Sequence, residues 1–242
     1  MERFYRSRET VGLLVGLVSL VIVFSPLYIF IPAVAFLSYR VAKEVSQALK
    51  VELYPVFAST VFLISCLHTG MGIVLSAILS LTKGYRSWSM EDFLKSFLVL
   101  IYAGILPSYL YTLKVLHDYQ LLKVLIFTWV VDVFSYYVGK HLGKHPFFPK
   151  LSPKKTWEGF LGGAIGGVVT FSFISGLPPF KSLLCGVLLI LCDVSGDLFK
   201  SFIKRQVGIK DFSDILGGHG GFTDRFDSLL FTAPVYSALV VL

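Results

Sequence analysis

Asp193, Asp197, Lys200 and Lys204 follow one another at intervals of four, three and four residues in an otherwise apolar stretch. On an α-helix this spacing puts all four on one face, with the two carboxylates about 6 Å apart along the axis. Acids inside membrane-length apolar segments are costly and usually functional. Asp132 is a third such acid. The stripe has three readings at this point: a salt-bridge seam between helices, part of an ion or proton path with Asp132, or a site for a charged ligand.

The stripe runs into Ser201 and Lys204-Arg205, then Lys210-Asp211, then a glycine-rich run Gly217-Gly218-His219-Gly220-Gly221, then Asp224-Arg225-Phe226-Asp227. Glycines let a backbone approach phosphates and aim its N–H groups at them. Lys and Arg neutralise phosphate oxygens, Arg bidentately. Asp224 and Asp227 share a face at the start of the last helix. Carboxylates among cations suit a Mg²⁺–nucleotide site, because Mg²⁺ takes one or two carboxylates and completes its shell with phosphate and water. Acids also favour helix N-termini, and glycines also make loops. Each plainer reading serves its own residues, but all these features fall within 35 residues. A second cluster, Ser152-Pro153-Lys154-Lys155-Thr156-Trp157-Glu158-Gly159, suits an anionic ligand and equally suits a basic patch at a membrane surface.

These segments resemble the bacterial phosphatidate cytidylyltransferases, or CDP-diacylglycerol synthases. That family's signature has Ser, two residues, Lys-Arg, four residues, Lys-Asp, a spacer, His-Gly-Gly, two residues, Asp-Arg, a hydrophobic residue and Asp. Ser201 to Asp227 reproduces it in order, with the family's Pro ahead of Gly-His-Gly-Gly replaced by Gly217. The Ser152–Gly159 segment, and Asp132 with Tyr and Gly up to Gly139, are familiar from the same family. The likeness is strong over residues 125–228.

The resemblance implies that CTP and phosphatidic acid give CDP-diacylglycerol and pyrophosphate, the lipid phosphate attacking the α-phosphorus. That phosphate is already anionic, so positioning and charge neutralisation should suffice. It implies Mg²⁺ or another divalent cation at Asp197, Asp224 and Asp227, with Asp193 a weaker candidate. It gives catalytic parts to Asp197, Lys204, Arg205, Asp224 and Asp227. It gives substrate contacts to Ser152, Lys154, Lys155, Lys210, Asp211, His219, Gly220, Gly221 and Arg225, the glycine turn bringing N–H groups to the nucleotide. Competing classes are an ion transporter, which leaves the Lys-Arg and His-Gly-Gly segments unexplained, and a CTP-dependent polyprenol kinase. An enzyme consuming CDP-diacylglycerol would need an Asp-Gly, two residues, Ala-Arg opening, which the chain lacks.

The elements that must hold these residues belong to a bilayer. Of 242 residues, 55% are hydrophobic and 15% charged, against about 25% charged in a soluble domain. The expected fold is all-α, a polytopic transmembrane bundle of about nine helices near 11–24, 26–43, 54–68, 69–82, 93–114, 120–140, 158–176, 181–203 and 226–242. Ser25-Pro26 should split the first long apolar run and His68-Thr69-Gly70 the second. Alternating from a cytoplasmic N-terminus puts 19 of the 22 Lys and Arg on one side, as the positive-inside rule requires. Merging either early pair spoils that segregation. The net charge of +7 therefore points to lipid headgroups and topology rather than to nucleic acid. The basic start leads into an apolar run longer than a signal peptide's, and reads as the first membrane segment. Cys66, Cys185 and Cys192 read as packed thiols. Residues 1–119 should be N-terminal membrane helices and 120–242 should carry the catalytic site, in the inner (plasma) membrane with the site facing the cytoplasm. Gly159, Gly163 and Gly167, with Gly162 and Gly166, should pack helices closely, and would also permit a homodimer.

Overall fold

The computed structural model describes residues 8–116, 119–216 and 220–241. They form ten α-helices, one π-helical segment and two short strands. Residues divide into two compact units, Met1–His117 with Gln206–Phe226, and Asp118–Arg205 with Asp227–Leu242.

In the first unit, α1 (Arg8–Phe24) and α2 (Leu27–Ala48) are separated at Ser25-Pro26. Pro26 has φ −66° and ψ 159°, extended geometry that ends one helix and starts the next. Along α2, Phe30, Val34, Leu37, Val41 and Val45 are buried at intervals of three or four, one helical face. α3 (Val56–Leu67) and α4 (Thr69–Ser87) meet at His68, whose extended backbone caps both. Both breaks lie where the sequence places them.

α5 (Met90–Leu100), a π-helical segment (Ile101–Ile105) and α6 (Leu106–Val115) form one continuous rod. Its start follows from Ser89, whose hydroxyl accepts the Asp92 N–H at 3.2 Å, with Glu91 and Asp92 in the first turn. Gly104 lies in the π-helical segment, and a Cβ there would come within 2.7 Å of Val61 Cγ1. At the other end of the rod, Lys114 donates to the Val23 carbonyl, among the last of α1.

The second unit holds α7 (Gln120–Leu142), strands β1 (Pro146–Phe148) and β2 (Ser152–Thr156), α8 (Trp157–Ile174), α9 (Pro179–Gln206) and most of α10 (Thr223–Val241). Phe171 packs edge-on against Phe127 and Tyr236, at 6.2 and 6.1 Å between ring centres. The buried Tyr236 hydroxyl donates to Gln120 Oε1 at 2.9 Å. The antiparallel hairpin, pairing Pro146 with Thr156 and Phe148 with Ser152, departs from the all-α expectation. Its aromatic residues cluster locally: Phe147 stacks on Phe160 and meets Trp157 edge-on at 4.5 Å.

Among the described residues, four rods are long and apolar enough to cross a membrane: Met90–Val115, Gln120–Leu142, Trp157–Ile174 and Pro179–Gln206. The shorter apolar helices Gly12–Phe24 and Val56–Leu67 accompany them. The protein is a helical membrane protein.

Candidate active site

Lipid offers little hydrophobic drive for helix association, so close backbone contact has to supply it. α7 and α8 achieve this through glycine. A Cβ on Gly159 would lie 2.8 Å from the Ser135 carbonyl, and one on Gly162 would lie 2.5 Å from Val138 Cγ2. Gly163 abuts the Ser135 hydroxyl, Gly166 the Phe134 ring and Gly167 the Val131 side chain. The packing reading holds, and the partner is α7 of the same chain. The glycine face is therefore covered and is not the surface through which a second copy would pair.

Gly196 does the same for α9 and α10. A Cβ there would sit 2.6 Å from the Asp227 carbonyl oxygen, and Ser228 donates to the Asp193 carbonyl at 3.1 Å. This crossing brings two sequence-assigned acids to one cation. Lys200 Nζ lies 3.1 Å from Asp197 Oδ1 and 2.8 Å from Asp227 Oδ2. Lys155, from β2, pairs with the other Asp197 oxygen. The result is an alternating series, Lys155–Asp197–Lys200–Asp227.

The hairpin delivers Lys155. Thr156, its last residue, caps α8 by accepting the Gly159 N–H at 3.2 Å. Glu158 ties the approach from α7, accepting the Lys144 and His145 N–H groups at 3.1 and 3.2 Å. A cavity of about 540 Å³ opens beside the series, lined among others by Asp132, Tyr136, Lys140, Lys154, Lys155 and Asp193. That volume is in the range of small-ligand pockets. The Lys155 ammonium is pushed down to about 8, first by burial and second by the Lys200 charge; Asp227, Asp132 and Asp193 act in the opposite sense. Two buried carboxylate oxygens, Asp193 Oδ1 and Asp227 Oδ2, have no hydrogen-bond partner among the described residues. Lys200 faces the latter as a charge contact outside hydrogen-bond geometry.

The other sequence-assigned residues distribute as follows. Ser152 is half-buried and Lys154 exposed on β2. Lys204 is 9% exposed on α9. Arg205 donates from Nε to the Leu151 carbonyl at 3.1 Å, linking the end of α9 to the hairpin. Lys210, Asp211 and Arg225 are exposed. His219, with Gly217 and Gly218, lies outside the described residues.

In the first unit, Asp224 Oδ2 accepts the N–H groups of Phe212 and Gly221, each at 3.0 Å. Gly220, with φ +77°, turns the chain into this arrangement, and a Cβ on it would press against that carboxylate at 2.6 Å. The Gly221 N–H is thus committed within the loop.

Glu44 on α2 is the residue the sequence reading passed over. It is 1% exposed and accepts from Ser213 Oγ at 2.7 Å, Phe222 N at 3.1 Å, Thr223 N at 2.8 Å and Thr223 Oγ1 at 2.7 Å. Its one available signal was an acid set beside the buried stripe of Val41, Ala42 and Val45.

Among the described residues, no three His, Cys, Asp or Glu side chains form a metal-binding group. The pair Asp197 and Asp227 about one cation still fits a divalent ion of the Mg²⁺ kind. Such an ion ordinarily draws only one or two carboxylates from the protein and the rest from phosphate and water.

The profile of the cytidylyltransferase family matches residues 6–242. A phosphatidate cytidylyltransferase of Aquifex aeolicus is 43% identical over 233 residues, covering 96% of this chain and 90% of that protein. One of Haemophilus influenzae is 36% identical over 183 residues, 69% of this chain and 64% of its own. One of Mycobacterium bovis is 46% identical over 106 residues, 42% of this chain and 35% of its own. The likeness that residues 125–228 suggested thus extends over nearly the whole length, and the chain belongs to the cytidylyltransferase family.

Proposed function

We propose that the Lys155–Asp197–Lys200–Asp227 series and its cavity are where the chain performs cytidylyl transfer. The protein is a phosphatidate cytidylyltransferase: CTP and phosphatidic acid give CDP-diacylglycerol and pyrophosphate. The observation that carries the site assignment is the alternation itself. Two acids share Lys200, and Lys155 flanks them at a cavity mouth.

A phosphate oxygen of phosphatidic acid attacks the α-phosphorus of CTP, and the bond from that phosphorus to the bridging oxygen of the β-phosphate breaks. Pyrophosphate leaves with the electron pair. The attacking oxygen is already anionic, so the protein's part is to hold the reactants in line and to neutralise charge. Lys155 and Lys200 supply that charge, with Lys154 and Lys140 at the cavity. Lys204 and Arg205 extend the basic line along α9. The family resemblance adds Lys210 and Arg225 as phosphate contacts. Asp197 and Asp227 hold the two lysines in place. A divalent ion held by those two carboxylates would neutralise the triphosphate and the departing pyrophosphate.

Nine crossings with a cytoplasmic N-terminus are part of this reading, supported by the segregation of 19 of 22 basic residues. The site then faces the cytoplasm, where CTP is found, and residues 120–242 carry its chemistry. A homodimer, if formed, would use a face other than the α8 glycines.

The test is purified protein in detergent with labelled CTP and phosphatidic acid, with Mg²⁺ or with excess EDTA. Labelled CDP-lipid and pyrophosphate, lost in EDTA, are expected. CDP with a phosphorylated alcohol would identify a lipid kinase. Ion flux in proteoliposomes without nucleotide would identify a transporter.

A further inference from the structure

The signature loop is held from a helix that carries none of the signature. Three residues on one face of α2, at intervals of four, reach it: Phe36, Arg40 and Glu44. Phe36 meets the Phe222 ring edge-on at 5.9 Å. The Arg40 guanidinium lies over the same ring at 5.7 Å and 3.8 Å from Glu44. Glu44 takes the four hydrogen bonds from Ser213, Phe222 and Thr223. It therefore fastens both ends of the segment 213–223, which contains the glycine run. It also occupies the first amides of α10, where a carboxylate is favoured by the helix dipole. The fit leaves no slack: a Cβ on Gly221 would lie 2.5 Å from Glu44 Oε2.

A second carboxylate closes the same loop from within. Asp224 binds the amides of Phe212 and Gly221, so two acids hold one short segment. A purely structural anchor would serve equally well with any two elements. Here the gripped segment carries Gly220 and Gly221, and Lys210-Asp211 and Asp224-Arg225 flank it. These are the residues the family resemblance assigns to substrate.

We propose that Glu44 is a positioning residue for cytidylyl transfer, setting the conformation of residues 210–216 and 220–225 so that they meet the nucleotide, and that α2 is thereby part of the catalytic apparatus. Glu44 touches no substrate in this account; it acts through the loop. The inference rests on the cytidylyltransferase reading above. A buried carboxylate is needed because its partners are all donors. Glutamine at this position would turn an NH₂ group toward N–H or O–H donors and lose part of the acceptor set.

The test compares Glu44→Gln with wild type and with Glu52→Gln. Glu52 has a 96% exposed side chain and pairs with Lys83, so it serves as a charge-matched control. All are purified in detergent, checked for monodispersity and melting, and assayed with CTP and phosphatidic acid. Glu44→Gln is expected to raise the KM for CTP about tenfold or more, the scale of a small misplacement of contact groups, in protein that remains folded and melts at a lower temperature because buried polar groups are left unmatched. Glu52→Gln is expected to match wild type. A merely structural Glu44 would lower the amount of folded enzyme and leave KM at the wild-type value. That outcome, or unchanged kinetics, overturns the proposal. Should Glu44→Gln fail to fold, the double variant Ser213→Ala/Thr223→Val decides. It removes two hydroxyl donors and leaves the carboxylate with its amide partners. A smaller rise in KM supports the proposal, and a wild-type KM rejects it. Failure of wild type to make CDP-lipid would instead reject the assigned reaction, so the two failures are separable.

Discussion

The two units solve the same problem, a carboxylate wholly or partly withdrawn from solvent, with different partners. In the second, Asp197 and Asp227 face the ammonium groups of Lys155 and Lys200. In the first, Glu44 and Asp224 face backbone amides and hydroxyls. The difference lies in what can let go. A lysine is a point charge on a flexible stem and can turn from a carboxylate to an incoming phosphate. A backbone amide moves only if the chain moves. The second arrangement suits groups that must respond to substrate, and the first suits groups that must stay put.

The comparison can be broken most directly at Asp197. Asp197→Asn should lower kcat/KM for CTP by a hundredfold or more, roughly the loss seen when a preorganised electrostatic contact is removed, with the folded protein retained in the membrane. Near-wild-type turnover would remove the second unit's claim to the chemistry. Asp224→Asn should abolish detectable turnover or nearly so while the protein remains folded. It swaps an acceptor of two amides for a group that also carries donors, at a cost of about 1–3 kcal/mol for the polar groups left unmatched. If activity instead survives, the loop grip is dispensable.

Lys155 sharpens the comparison through pH. Its ammonium loses its proton near pH 8, so kcat/KM, which reports the free enzyme, should fall as pH rises through that value. Lys155→Arg keeps a cation at every accessible pH and should move that alkaline limb out of range, at lower maximal activity. A limb left in place would assign it to another group. The smallest effect on chemistry is expected from Gly163→Ala. It forces a methyl against Ser135 and should cost about 1–3 kcal/mol of stability by overpacking, read as a lower melting temperature, with KM unchanged.

The sequence exposes features whose physics is local. Pro26 and the His68 bend interrupt helices by their own backbone geometry. The four-residue glycine spacing of α8 announces a close helix contact, although not that α7 makes it. The polar stripe of α9 leads to the cavity because helical period alone fixes its face. What stays hidden depends on contacts distant in the chain. Nothing near Lys155 tells that it pairs with Asp197, and nothing near Glu44 tells that Thr223 is its partner. The hairpin hides for another reason. Residues 146–156 hold three prolines and three lysines, which argue for a loop, and pairing of a few residues is enough to overrule them.

The break at His68 carries a consequence for the lipid. α3 has 12 residues, so it rises about 18 Å, well short of a hydrocarbon core about 30 Å thick. For α3 to cross, a bilayer around it would have to thin, or let water and headgroups follow the helix end inward.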